Sequence, residues 1–169
     1  MWNERRFARL ASIGAVAIVT LGAAGMGFAA DPHRPYGGRC STVITPLTAP
    51  GVFPQELRID YDCLLAHLGR TLAVAMVLVT PIAESGGILN ALVENTTVYT
   101  AANGDMLNVS FVGPAQINLE TGEARFIGTE TFEGGTGRFT NATGSAALDG
   151  RASVFTNVGS FTINGEIAY

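Results

Sequence analysis

Glu130 is the residue whose type and neighbours best suit it to do chemistry. In "ARFIGTETF", residues 124–132, every second residue shares a face, and Glu130 falls with Phe126, Gly128 and Phe132. A carboxylate in an apolar interior has a raised pKa and can act as a general acid or base. Placed near a strand end, the same side chain would pair with an arginine such as Arg138, and that is the commoner arrangement. Tyr99, Asn108 and Ser110 flank the turn "AANGD" on neighbouring strands. A phenol, an amide and a hydroxyl there can orient a ligand carbonyl or hold a water. Asn108 and Ser110 also alternate against Leu107, Val109 and Phe111, so outward decoration is their ordinary reading. Glu130, Tyr99 and Asn108 are the candidate ligand-binding residues.

Other polar residues carry weaker signals. His67 ends a strand, and no serine or cysteine nucleophile motif accompanies it, so it reads as a surface or capping residue. Asp60 and Asp62 share a face, but two carboxylates on one strand lack the dense oxygen ligands of a calcium site. Neither His33 nor His67 sits in ligand spacing with a cysteine, and CxxC and HxxxH do not occur, so neither metal nor cofactor is expected.

"FEGGTGRFTNATG", residues 132–144, looks at first like a phosphate-cradling loop. A P-loop needs a Lys-Ser/Thr pair that opens a helix, and every basic residue of this chain is arginine. The stretch reads instead as a corner between strands, with Gly134, Gly135 and Gly137 supplying unusual backbone angles. Thr136 to Phe139 is expected to form one helical turn, with Phe139 plugging a barrel end. Arg138 is expected to tie the loop to an acid such as Glu130 or Glu133.

The elements that must position these residues are strands. In "LRIDYDCLL", Leu57, Ile59, Tyr61, Cys63 and Leu65 share one face, and Arg58, Asp60 and Asp62 the other. "TLAVAMVLVT" is apolar on both faces and stops at Pro81, so its outer strip needs cover from a partner or from the Pro-rich arm. Asn103-Gly104 is a hairpin signal. With a short first strand at residues 41–45, the pattern gives eight strands joined by short turns. The fold class is therefore all-β, an antiparallel up-and-down β-barrel, with a two-sheet sandwich as the alternative.

Composition bounds the rest. Residues 1–30 combine Arg5, Arg6 and Arg9, an apolar run and a small-residue ending, the layout of a signal peptide cleaved before the mature chain. Residues 31–38 read as a flexible N-terminal arm and residues 39–169 as one domain. The chain carries a net charge of −4, and its arginines are scattered, which excludes a nucleic-acid surface. Cys40 and Cys63 lie in the exported part and are expected to form a disulfide. Periplasmic or extracellular export follows, with no stable membrane insertion once the signal is cut.

The ordered stretches "HLGRT", "YTAANGD", "GTETFEGGTGRFTNATGSA" and "SFTINGEIAY" resemble a group of small exported bacterial proteins with an allene oxide cyclase-like barrel. Plant dirigent proteins belong to the same superfamily. The resemblance implies an eight-stranded antiparallel barrel with a lumen open at one end, assembled as a trimer. It carries over no catalytic residue, because neither family's catalytic positions match a local motif here. The leading functional expectation is a non-catalytic binder of a small hydrophobic molecule or a partner. An isomerase or cyclase of the allene oxide cyclase type is the alternative. A third reading, an eight-stranded outer-membrane barrel, rests on the alternating aromatic C-terminus (Phe161, Ile163, Ile167, Tyr169). A ligand-binding lumen predicts a cavity lined by Leu, Val and Phe.

Overall fold

A computed structural model describes residues 33–169, so the signal-peptide reading of residues 1–30 lies outside the described residues. Eight strands are present among them: β1 (Arg34–Pro46), β2 (Gln55–Leu65), β3 (Gly69–Ser85), β4 (Ile88–Thr100), β5 (Met106–Asn118), β6 (Glu123–Gly135), β7 (Thr143–Ser153) and β8 (Val158–Ala168). Each pairs antiparallel with the next, and β1 pairs with β8, which closes the barrel and leaves no free sheet edge.

Period-two patterning decides which face turns inward. On β3, Thr71, Ala73, Ala75, Val77 and Val79 are buried, while Leu72, Val74 and Met76 are exposed on the outer wall. Ala73 lies between Tyr61 of β2 and Tyr99 of β4 in the register. Its small side chain leaves room for the two rings to stack across it, with centroids 6.2 Å apart. Cys40 and Cys63 face each other directly across β1 and β2, both buried, and form the expected disulfide.

Two expectations about elements need correction. Residues 34–38 are not a flexible arm: Arg34 to Gly38 form the first part of β1, in register with Ile167 to Ile163 of β8. The Pro- and Gly-rich composition hides a strand that a distant partner stabilises. Tyr36 on that segment is fully buried. Nor does β3 stop at Pro81. It continues to Ser85 through an irregularity between Pro81 and Ala83, where the ladder shifts and a residue without an N–H can be accommodated.

The two ends of the barrel differ. One end carries the β2–β3, β4–β5 and β6–β7 connections. There Leu68, Ala101, Phe139 and Ala142 are buried, and a single 3-10 turn, Gly137–Phe139, drops Phe139 into the barrel. The Phe139 ring meets Tyr169 with centroids 4.9 Å apart, and the Arg34 guanidinium covers the other ring of that pair at 4.6 Å. This end is sealed. At the opposite end Leu57, Ile59, Val93, Ile117 and Phe126 pack on the core but remain only partly buried. The connections that rim it expose Leu47, Val52, Phe53, Leu119, Val154 and Phe155. This partly covered apolar end is the cup.

Candidate functional site

Glu130 sits on the inner face of β6, opposite Phe111 of β5 and Ala146 of β7. It is only 3 % exposed and is the one buried charged residue among the described residues. Three tyrosines belong to the same interior: Tyr36 of β1, Tyr61 of β2 and Tyr99 of β4. The Tyr99 hydroxyl donates to Glu130 Oε1 at 3.1 Å. Glu130 Oε2 and the Tyr36 hydroxyl are buried without any hydrogen-bond partner in the protein. Rings hold the hydroxyls in place: Tyr36 meets Phe132 edge-on at 4.7 Å, and Tyr61 meets Phe161 edge-on at 5.2 Å.

The electrostatics follow from burial. Loss of water raises the Glu130 pKa from 4.5 to about 7, and the Tyr99 hydrogen bond opposes part of that rise. Burial first, and then the nearby Glu130 charge, push Tyr36, Tyr61 and Tyr99 well above the ordinary phenol value. All three therefore stay protonated, and Tyr99 donates to Glu130. No arginine among the described residues is buried, so no cation offsets Glu130 inside the barrel. The cluster has the elements of a general acid or base working near neutral pH, and equally those of a hydrogen-bonding pocket.

The structure brings Tyr99 and Glu130 together and separates the other candidates from them. Asn108 is exposed on the outer wall, because Leu107 and Val109 on either side point in. It is not part of the interior site. Arg138 does not reach Glu130 or Glu133. It pairs with Asp105 at 3.7 Å, donates to the His67 carbonyl and lies over the Phe139 ring at 4.8 Å. Glu130 lies too far inside the barrel for that pairing, and Glu133 points outward and accepts from Ser110 Oγ at 2.5 Å. His67 Nε2 donates to the Pro35 carbonyl at 2.9 Å, which makes His67 a clasp on the sealed end. Asp62 takes two hydrogen bonds from Arg70, at 2.7 and 3.1 Å, and Asp60 one from Arg58 at 2.9 Å. These acids are engaged on the outer wall.

In place of a hollow lumen, the middle of the barrel is packed. The Phe111 ring fills the space beside Gly128, and the Phe126 ring fills that beside Gly150, so a Cβ at either glycine would come within about 2.6 Å of a ring atom. Three depressions open on the outer wall instead, such as the one lined by Arg39, Asp62, Arg70 and Arg151. Sequence reasoning missed Tyr36 and the role of Tyr61. The signal for Tyr61 was present, since it shares the inward face of β2 with Ile59 and Cys63. Tyr36 carried no local signal, because its strand depends on β8.

Comparison of the chain with protein-family models, curated proteins and solved structures finds no match. The fold and the site themselves define a class: a closed eight-stranded up-and-down barrel with a sealed base, an apolar mouth and a buried carboxylate among tyrosines.

Proposed function

We propose that the protein is an exported, non-catalytic binding barrel that takes a small apolar molecule at its open end. The observation that carries this reading is the difference between the two ends. Phe139, Leu68 and Ala142 close one, whereas the other leaves Leu57, Ile59, Val93, Ile117 and Phe126 partly uncovered inside a rim of exposed apolar side chains. Exposed apolar surface gathered in one place is an ordinary mark of a binding site. The disulfide is compatible with export. Membership of the allene oxide cyclase-like superfamily is part of the proposal. It is supported by the closed order of eight antiparallel strands and by the position of "GGTGRF" at the sealed end. The exposed strip of Leu72, Val74, Met76 and Val98 is the surface on which copies would meet in the trimer that this membership implies.

Glu130 favours a second reading as an isomerase or cyclase, since it titrates near neutrality. Its cover of packed rings favours binding over turnover. The outer-membrane reading fits poorly with Arg58, Asp60, Asp62, Arg125, Asp149 and Arg151 on the outer wall, where lipid would demand an apolar band.

Titration with 1-anilinonaphthalene-8-sulfonate tests the reading. The dye is expected to bind and brighten, and Ile59→Thr in the cup should weaken it severalfold, while Leu72→Thr on the outer wall should not. Absence of dye binding, or equal weakening by the two variants, would refute the open-end site.

A further inference from the structure

We infer that Tyr36 and Glu130 form a hydrogen-bonding subsite beneath the cup that takes the hydroxyl head of an uncharged apolar molecule. This rests on the reading of the open end as a binding cup. Two polar atoms, Tyr36 Oη and Glu130 Oε2, are buried without a partner in the same interior, and each such group costs stability unless something satisfies it. Their needs are complementary. Tyr36 offers a hydrogen, and Glu130 Oε2 offers lone pairs once the carboxyl is ionised, because the Tyr99 hydroxyl already occupies Oε1. The ladders set Tyr36, Gly165, Ala146 and Glu130 in one row with only small residues between, so one alcohol group placed over them would accept from Tyr36 and donate to Glu130.

The same interior discriminates against charged heads. A carboxylate would lie beside Glu130 with no buried arginine to neutralise it. An ammonium would bury an ion pair and leave the Tyr36 hydrogen without an acceptor. A plain hydrocarbon would leave both orphaned groups unsatisfied.

Phe126, partly buried in the cup, lies four residues from Glu130 on β6, roughly 13 Å along the strand. Between them stands Gly128, and the Phe111 ring occupies the space where its side chain would be. The rings that cover this stretch, Phe111 and Phe126, rest against Gly128 and Gly150. A guest with a linear chain reaches the two polar atoms by displacing those rings.

Calorimetric titration of the full chain with 1-decanol, decane, decanoate and decylamine tests the subsite. 1-Decanol is expected to bind about tenfold more tightly than each of the other three, the advantage of one well-made buried hydrogen-bond pair. Tyr36→Phe should erase the advantage of 1-decanol over decane. Glu130→Leu should do the same, and Tyr36→Phe carries the test alone if that variant does not fold. Tighter binding of decanoate or decylamine overturns the subsite. So does an alcohol advantage that survives Tyr36→Phe, or equal binding of alcohol and decane, which would mean that only water meets the two groups. In those cases the cup stands. Binding of none of the four probes overturns the cup and the subsite together.

Discussion

Stability of this barrel should fall as the pH rises from 5 to 8.5, and Glu130 should account for the fall. Its pKa lies at about 7 in the folded chain, against 4.5 for an ordinary glutamate, because burial disfavours the charged form. Between those two values the folded chain holds a proton that the unfolded chain has released. The stabilisation is therefore complete below about pH 4.5 and lost as the pH climbs through about 7. A displacement of that size corresponds to roughly 3 kcal/mol, a large part of the 5–15 kcal/mol typical of a domain. Asp62, whose pKa Arg70 depresses, acts in the opposite sense, but its contribution is fully present above about pH 3.8 and is lost only at lower pH, outside this window. The raised tyrosines titrate above it. Urea unfolding followed by circular dichroism at pH 5 and 8.5 measures the effect, and the midpoint should drop by about 1 M or more at the higher pH. Glu130→Gln keeps the shape and removes the titration. It should abolish most of the fall and leave the variant about 2–3 kcal/mol more stable than wild type at pH 8.5. Equal midpoints for wild type at the two pH values, or the same fall in Glu130→Gln, would refute the argument.

Three further perturbations follow from the packing. Phe139→Ala removes a fully buried ring from the sealed end and should cost about 3–5 kcal/mol, read as a melting temperature lower by several degrees or more. Replacing Cys40 and Cys63 together by serine opens a cross-link between residues 23 apart and should cost about 3 kcal/mol in urea unfolding. Gly128→Ala would set its Cβ 2.4 Å from the Val112 carbonyl oxygen and 2.6 Å from the Phe111 ring. It should destabilise by about 1–3 kcal/mol, with the Phe111 ring resonances shifted in NMR spectra.

Much of the fold was legible because one face of each strand had to be apolar. Leu57 to Leu65, Leu107 to Phe111 and Phe126 to Phe132 announced their inward faces by simple alternation, and a single pair of cysteines in a chain read as exported announced their bridge. Alternation also put Glu130 on the right face and Asn108 on the wrong one for a lumen ligand. Alternation does not report depth along the barrel. An inward glutamate near a rim meets arginine, whereas one in the middle meets only rings and phenols, and the choice depends on stagger between strands. The partner of Arg138 was illegible for a related reason, since Asp105 comes from another connection at the sealed end. Tyr36 was hidden because Pro35, Gly37 and Gly38 disfavour a strand locally, and only pairing with β8 overrides them.

The distribution of packing along the axis says where this barrel can yield. Toward the sealed end, the disulfide joins β1 to β2, the tyrosine rings contact Phe132, Phe161 and one another, and Phe139 is clamped against Tyr169. Moving any of these side chains displaces another. Toward the open end, the Phe111 and Phe126 rings lie on glycine backbone, and the residues around Phe126 are only partly covered. Phe126 is only partly buried, whereas Phe139 at the other end is fully buried, so resistance to entry is lower at the open end than at the sealed one. The buried carboxylate sits just beyond that soft layer and within the stiff one. The destabilisation of about 3 kcal/mol that its ionisation imposes is similar in size to the stabilisation of about 3 kcal/mol that the cross-link supplies. A polar group can be kept inside this small barrel because covalent and aromatic constraints hold the half that surrounds it, and a guest can reach it because the other half lacks them.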